Sequence, residues 1–430
     1  MSLGLYLLDP DPGPAWVPFA GIRPLCELRA GAHLVRERWE TFVGTEATAV
    51  FALPHLAGFP EPGVPLVEAR RAVTGPAVIG SSTFAPRGLA GPLPDTPVRL
   101  THDGITVGWA VPDGTTWTGP VAHAQAMSVD GVLLHGVFDL VGALEQLLRE
   151  DVSKLLGDSD AVPKGSIVLG DPAAISLREA AIEPGVVFDT RNGPVVLESG
   201  VEVRSGTRLE GPLWIGANTR LVGGAIRTSA IGPWSVIHGE VSTTVVLGYS
   251  NKSHLGFLGH SVLGRWVNLG AGTTTSNLKS TYGPVRLEVA GTRMETGHQF
   301  LGSLFGDHAK TAIGTLFDAG SVIGAGASVF GGVRAPKYIP PFAWGGGASE
   351  RMTQQKFLAI VERVLPRRNV QVSDAMRAMS WLWPPPGSSS RSIMLVDRRA
   401  PKHAALRYWL QEVATNGART WHGPVRVSRS

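Results

Sequence analysis

Between about residue 185 and residue 345 the chain keeps returning to an aliphatic side chain every six positions. Val195, Val201, Thr207 and Leu213 hold this spacing, as do Ile215 and Leu221, Ile231 and Ile237, Leu263 and Leu269, and the series Phe317, Ile323, Val329. Glycine follows the aliphatic residue at Ile215, Ile231, Leu269, Ile313 and Ile323. A six-residue period with small residues at the corners is the signature of a parallel β-helix, whose aliphatic side chains stack down a central core. An ordinary β-sandwich with chance spacing does not hold one register over so long a stretch. The 54 glycines and 32 prolines supply turns, and no helix-forming run interrupts the repeat.

Flanking segments have a different texture. LGLYLL (3–8) reads as a buried strand ending at Asp9, and a helix is expected near Leu34–Trp39. Strand-like runs follow at 47–53, 76–80, 98–101 and 105–111, then a helix at 139–157 ending at a glycine. This alternation predicts a small α/β domain over residues 1–157. The β-helix is assigned to 158–348, a helical cap to 349–383 and a basic flexible tail to 384–430, opened by the linker PPPGSSS. The hexad register breaks over 275–300, and an excursion from a solenoid is expected to be a binding loop.

Composition narrows the partners. A formal charge of +4 suits anionic small molecules and does not call for nucleic acid. Cys26 is the one cysteine, so no intrachain disulfide forms and a reducing cytoplasm is expected. The start carries no signal-peptide pattern, and no run of about 18 apolar residues predicts a membrane span.

Chemistry concentrates in residues 248–279, GYSNKSHLGFLGHSVLGRWVNLGAGTTTSNLK. His254 is of the type that accepts a proton from an amine and later returns it. Asn268 and Asn277 suit sugar hydroxyls or a thioester carbonyl, and Lys252 and Lys279 suit phosphate oxygens. Backbone N–H groups around Gly270, Ala271 and Gly272 are candidates for an oxyanion site. The blander alternatives are an asparagine ladder along the coil and purely structural histidines. A zinc site from His254, His260, His298 and His308 is disfavoured, because six residues separate the first two and a triangular coil puts them on different faces. In the N-terminal domain Arg23, Glu27 and Arg29 follow the first strand, a plausible place for a nucleotide or sugar phosphate. Their mutual pairing is the competing reading. No GxGxxG or GxxxxGK[ST] motif occurs.

The hexads together with SHLGFLGHSVLGRWVNLGAGTTTSNLK resemble the acetyltransferase half of the bifunctional bacterial N-acetylglucosamine-1-phosphate uridyltransferase/glucosamine-1-phosphate N-acetyltransferase. Residues 1–370, with RPLCELRAG, RERWE and GEVSTTVVLGYSNKSHLGFLGHS, resemble a divergent branch of that family, the sugar nucleotidyl transferases. The resemblance implies a reduced nucleotidyltransferase-like α/β domain, a left-handed parallel β-helix of hexapeptide repeats with a C-terminal helical cap, and a homotrimer. It implies His254 as catalytic base toward an amino sugar and Asn268 as a substrate contact; Glu240 lies near the family's phosphate-binding position, and Lys252 or Lys279 is expected to stand in for the lysine missing there. Ala271, Asn277, Ser303 and Ala325 correspond to contacts with acetyl-CoA or another acyl-CoA.

Two substitutions depart from the family's pattern: Phe257 stands for a substrate-binding tyrosine and Ser242 for a phosphate-binding lysine. In the N-terminal half the glycine-rich loop is absent, and the magnesium-binding carboxylate becomes Ser81, leaving Asp9 or Asp139 to take over Mg2+ with a nucleoside triphosphate. The resulting expectation is acetyl-CoA-dependent N-acetylation of an amino-sugar 1-phosphate, with nucleotidyl transfer to a nucleotide sugar as a second activity. Two alternatives stand beside it: a sugar-1-phosphate nucleotidyltransferase whose β-helix only trimerises, and a non-catalytic sugar-nucleotide-binding scaffold.

Overall fold

A computed structural model describes residues 3–89, 91, 95–120, 125–157, 159–332, 334–346, 350–378, 407–413 and 419–426. The chain forms two compact units, Met1–Pro384 and Pro385–Ser430. In the second unit Arg407–Val413 pairs antiparallel with Arg419–Arg426, within the stretch assigned to the basic tail. The linker 384–390 and the rest of that tail lie outside the described residues.

The first unit begins with a seven-stranded sheet. Its order is Gln125–Ser128, Val98–His102, Ile105–Val111, Ala77–Ser81, Gly4–Leu8, Ala47–Phe51, Leu66–Glu68. Gly4–Leu8 is parallel to both Ala47–Phe51 and Ala77–Ser81, while Ile105–Val111 runs antiparallel to Ala77–Ser81. Helices Val35–Val43 and Leu144–Leu155 accompany the sheet, the first closed by Gly44 in the left-handed region.

The remainder is a left-handed parallel β-helix with a helical cap. Its three faces are sheets of six, nine and five strands, each strand paired in parallel with the next coil. The hexad aliphatics point inward: Leu197, Ile215, Ile231, Leu263, Phe305 and Ile323 share one buried core. The cap helix Gln354–Val364 starts at Thr353, whose hydroxyl accepts the Lys356 N–H.

The nine-stranded face is apolar on its outward side too. Val196, Trp214, Val245, Val262, Leu304 and Val322 belong to the same buried cluster as Phe19, Val137 and Leu147 of the N-terminal domain. Helix Leu144–Leu155 lies against strands Val195–Leu197 and Leu213–Ile215 of this face. The N-terminal domain therefore docks along the flank of the β-helix. Removing each such side chain from water is worth about 1.5–3 kcal/mol. Gly306 marks the closeness of the approach, since a Cβ there would stand 3.0 Å from Pro18 and 2.6 Å from the Ala325 nitrogen.

The excursion of 275–300 forms a hairpin, Arg286–Val289 with Thr292–Glu295. The sequence leads us to expect a binding loop here. Val285, Leu287 and Val289 are buried in the core shared with the N-terminal domain, so the hairpin's apolar side is spent on packing, while Arg286, Thr292 and Arg293 stay exposed.

Candidate functional site

The five-stranded face runs through Glu202–Val203, Arg220–Leu221, Val236–Ile237 and Asn251–Lys252, and the same column continues through Asn268 and Lys310. Side chains alternate across a strand. Glu202, Arg220, Val236, Asn251, Asn268 and Lys310 thus point outward, and Val203, Leu221, Ile237 and Lys252 point inward. Along the outward column Arg220 pairs with Glu202 at 3.0 Å, but from Asn251 onward the acids stop. Asn251 Nδ2 donates to Asn268 Oδ1 at 2.7 Å, a short asparagine ladder.

Beside that ladder is a cleft of about 480 Å³ lined by Asn251, His254, Asn268, Lys310, Arg367 and Arg368. His254 is exposed at a corner of the coil. Tyr249 and Trp266 form an aromatic wall, stacked at 4.6 Å. Both occupy the left-handed region, φ 56° and 64°, a conformation that costs of order 1–3 kcal/mol in non-glycine residues. His308 holds the equivalent corner of the next coil and stacks on Trp266 at 6.2 Å, with Phe357 of the cap edge-on at 5.4 Å. Burial drives the His308 pKa far down, helped by Lys310 and Arg23, so the ring is a neutral part of the wall.

The cap supplies the far side. Phe357 and Val361 bury its inner face, and a 3-10 turn, Leu365–Arg368, ended by Asn369 in the left-handed region, delivers Arg367 and Arg368 to the cleft. Arg368 Nε donates to the Trp234 carbonyl at 3.1 Å. Lys310 Nζ donates to the His308 carbonyl at 3.0 Å, and burial lowers its pKa to about 8.

Of the residues singled out in the sequence, His254 and Asn268 meet in this cleft. Others do not line it. Lys252 takes an inward, core position, where its Nζ donates to the carbonyls of His238 and His254, each at 2.8 Å. It holds the backbone of the His254 corner and offers nothing to a phosphate. Glu240 lies on the six-stranded face, paired with Arg227 at 2.7 Å. Asn277 also lies toward that face, its amide 2.8 Å from His260 Nδ1, and Phe257 is its neighbour. Lys279 Nζ donates to the Pro284 carbonyl within the excursion.

Ser303 and Ala325 are fully buried, and Ala325 sits in the core shared with the N-terminal domain, which excludes a coenzyme arm from that strip. The N–H groups of Gly270 and Gly272 are used by Thr311 Oγ1 and the Leu255 carbonyl, so neither is an oxyanion donor; Ala271 lies between them, half-buried. Among the described residues no three His, Cys, Asp or Glu side chains are grouped to hold a metal. His298 instead pairs with Asp139 at 3.2 Å, and His260 with Asn277.

The N-terminal candidates are committed to structure. Arg23 is fully buried, with Nε 2.9 Å from Asp307 and Nη2 2.6 Å from Glu61. Burial alone would lower its pKa, but Asp307 and Glu61 outweigh it and raise the value. Arg265 reaches Glu61 at 3.1 Å, which closes a network between the two halves of the unit. Glu27 is buried against Arg36 at 2.6 Å, and Arg29 lies 4.4 Å over the Trp214 ring.

In a sheet of this kind ligands bind beyond the carboxyl ends of the strands, where the order reverses. Here that place follows Leu8 and Ser81. The 3-10 turn Leu25–Glu27, fully buried, fills it, and its first N–H bonds the Asp9 carboxylate at 3.0 Å. Burial pushes the Asp9 pKa up to about 7, so a large share of the carboxyl is protonated at neutral pH. Asp139 is held by His298 and His135. These residues do not fit a magnesium–triphosphate: one half-neutral carboxyl, already hydrogen-bonded, is a poor ligand for a hard divalent cation.

No family model matches the chain. The bifunctional sugar-1-phosphate nucleotidylyltransferase/acetyltransferase of Sulfurisphaera tokodaii is 33% identical over 148 residues, 33% of this chain and 36% of that protein. The bifunctional protein GlmU of Methylococcus capsulatus is 35% identical over 164 residues, 36% of this chain and 32% of its own length. The chain is a divergent relative of these proteins. GlmU of Methanococcus vannielii is 31% identical over 96 residues, covering 21% of this chain and 23% of that GlmU. The chain thus spans about a third or less of the length of these GlmU-type relatives. Lys310, Arg367 and Arg368 escaped the sequence reading. Lys310 continues the outward column of Asn251 and Asn268, but the excursion intervenes and hides that register.

Proposed function

We propose that the chain is a sugar-phosphate-modifying transferase that moves an acetyl group from acetyl-CoA to the amine of an amino-sugar phosphate in the His254 cleft. The observation that carries this is the exposed imidazole of His254 in a polar cleft rich in cations and side-chain amides. In the reaction the substrate nitrogen attacks the thioester carbonyl carbon while His254 takes a proton from that nitrogen. The tetrahedral adduct collapses, the C–S bond breaks, and the departing thiolate receives the proton from His254. The products are the N-acetyl sugar phosphate and coenzyme A. Lys252 fixes the corner on which the base stands, and Asn268 supplies amide hydrogens to sugar hydroxyls.

Release of free thiol from acetyl-CoA in the presence of glucosamine-1-phosphate is the test. His254→Ala is expected to lower the rate by roughly 10²–10⁴-fold, the usual worth of a general base. Equal rates in wild type and variant, or no thiol release with any amino-sugar phosphate, contradict the proposal.

A further inference from the structure

The cleft carries a charge arrangement that the hydrogen-bonding and packing of the chain do not explain. Three cations, Lys310, Arg367 and Arg368, line it, and no aspartate or glutamate does. Among the described residues none of the three makes an ion pair, whereas other arginines do, such as Arg23 with Asp307 and Arg334 with Asp318. Two coils before Asn251 on the same face, Arg220 has Glu202 as its counter-ion. Like charges gathered without acids oppose folding, so the cluster persists for something other than stability.

Each cation also has hydrogens left over. Lys310 Nζ uses one on the His308 carbonyl, and Arg368 uses Nε on the Trp234 carbonyl and Nη1 on the Arg367 carbonyl. Neighbouring Asn268 receives its ladder bond on Oδ1, which leaves its amide hydrogens free of that bond. A compact oxyanion with several acceptor oxygens takes these hydrogens and neutralises the charge as well; a neutral sugar accepts hydrogens but leaves the charge uncompensated.

We propose that Lys310, Arg367 and Arg368 form a phosphate-binding subsite that holds a phosphate monoester dianion in the cleft, with the rest of the ligand extending toward His254. This subsite is distinct from the position of Ser242, where the resemblance places a lysine. Ser242 lies on the six-stranded face and bonds Arg227 there. The inference deepens the transferase reading by naming the chemistry that selects the ligand. Two sources present that group: a sugar 1-phosphate and the 3′-phosphate of coenzyme A.

Binding measured by titration calorimetry on the full chain separates them, and does not depend on turnover. Glucosamine-1-phosphate is compared with glucosamine, and coenzyme A with dephospho-coenzyme A, in wild type, Lys310→Met and Arg367→Ala. A charge-assisted hydrogen bond is worth about 1.5–3 kcal/mol, so each variant is expected to weaken the phosphorylated ligand by roughly 10- to 150-fold. The unphosphorylated ligand should be unaffected. Loss confined to the sugar pair makes the subsite an acceptor site, and loss confined to the coenzyme pair makes it a donor site. Arg367 is exposed, so its variant guards against misfolding of the Lys310 variant. If neither pair discriminates, or if both variants bind the phosphorylated ligands as wild type does, the subsite is refuted. Phosphate binding without thiol release would instead refute the transferase reading and leave the subsite standing.

Discussion

Lys252 occupies a position that the coils before it on its face and the coil directly after it give to an aliphatic residue, Val203, Leu221, Ile237 or Leu269. Burial lowers its pKa from 10.5 to about 8. Between those values the unfolded chain keeps a proton that the folded chain has released, so this residue's contribution to stability grows as pH rises and falls away as pH drops through about 8. The window is worth about 3 kcal/mol at 1.36 kcal/mol per pH unit. Urea unfolding of wild type and Lys252→Met at about pH 7.5 and pH 10 tests this. The difference should shift toward wild type by about 2–3 kcal/mol at the higher pH, and a constant difference contradicts the assignment. From sequence alone Lys252 looked like a phosphate ligand, because spacing from His254 does not say which side of a strand a residue faces. The hexad register does say so, and it puts Lys252 in line with Ile237 and Leu269.

At the scale of elements, the nine-stranded face is the part whose role is least usual. Its strands read VVL at 195–197, LWI at 213–215 and VV at 245–246, without alternation. Uninterrupted apolar strands are the mark of a sheet covered on both sides. That signal was present in the sequence, but the hexad core alone explained half of each strand and concealed it. The cover predicts an asymmetry between faces. Val245→Glu puts an unpaired carboxylate into the shared core and should cost several kcal/mol, seen as a large fall in the thermal midpoint. Val236→Glu, outward on the five-stranded face beside Arg220, should change stability by less than about 0.5 kcal/mol. Equal effects would mean that the nine-stranded face is not covered.

At the scale of the molecule, the N-terminal α/β domain has become a flank of the β-helix, locked by Arg23, Glu61, Arg265 and Asp307. Removing one member of such a buried network leaves a bare charge, typically at a cost of 3–5 kcal/mol. The β-helix and its cap were legible because a period of six has few structural solutions. The docking was not, because it depends on pairs such as Arg23 and Asp307, 284 positions apart. Arg23, Glu27 and Arg29 resembled an anion site because burial and pairing are invisible in a linear pattern. With that domain's crevice filled by its own turn, the proposed acetyl transfer rests on the cleft at His254. A structure of the chain with acetyl-CoA and a sugar phosphate tests this most directly. The account predicts the thioester beside His254, in hydrogen-bonding reach of its ring. Ligand lodged beyond Leu8 and Ser81 in the N-terminal domain, with the His254 cleft empty, would contradict it.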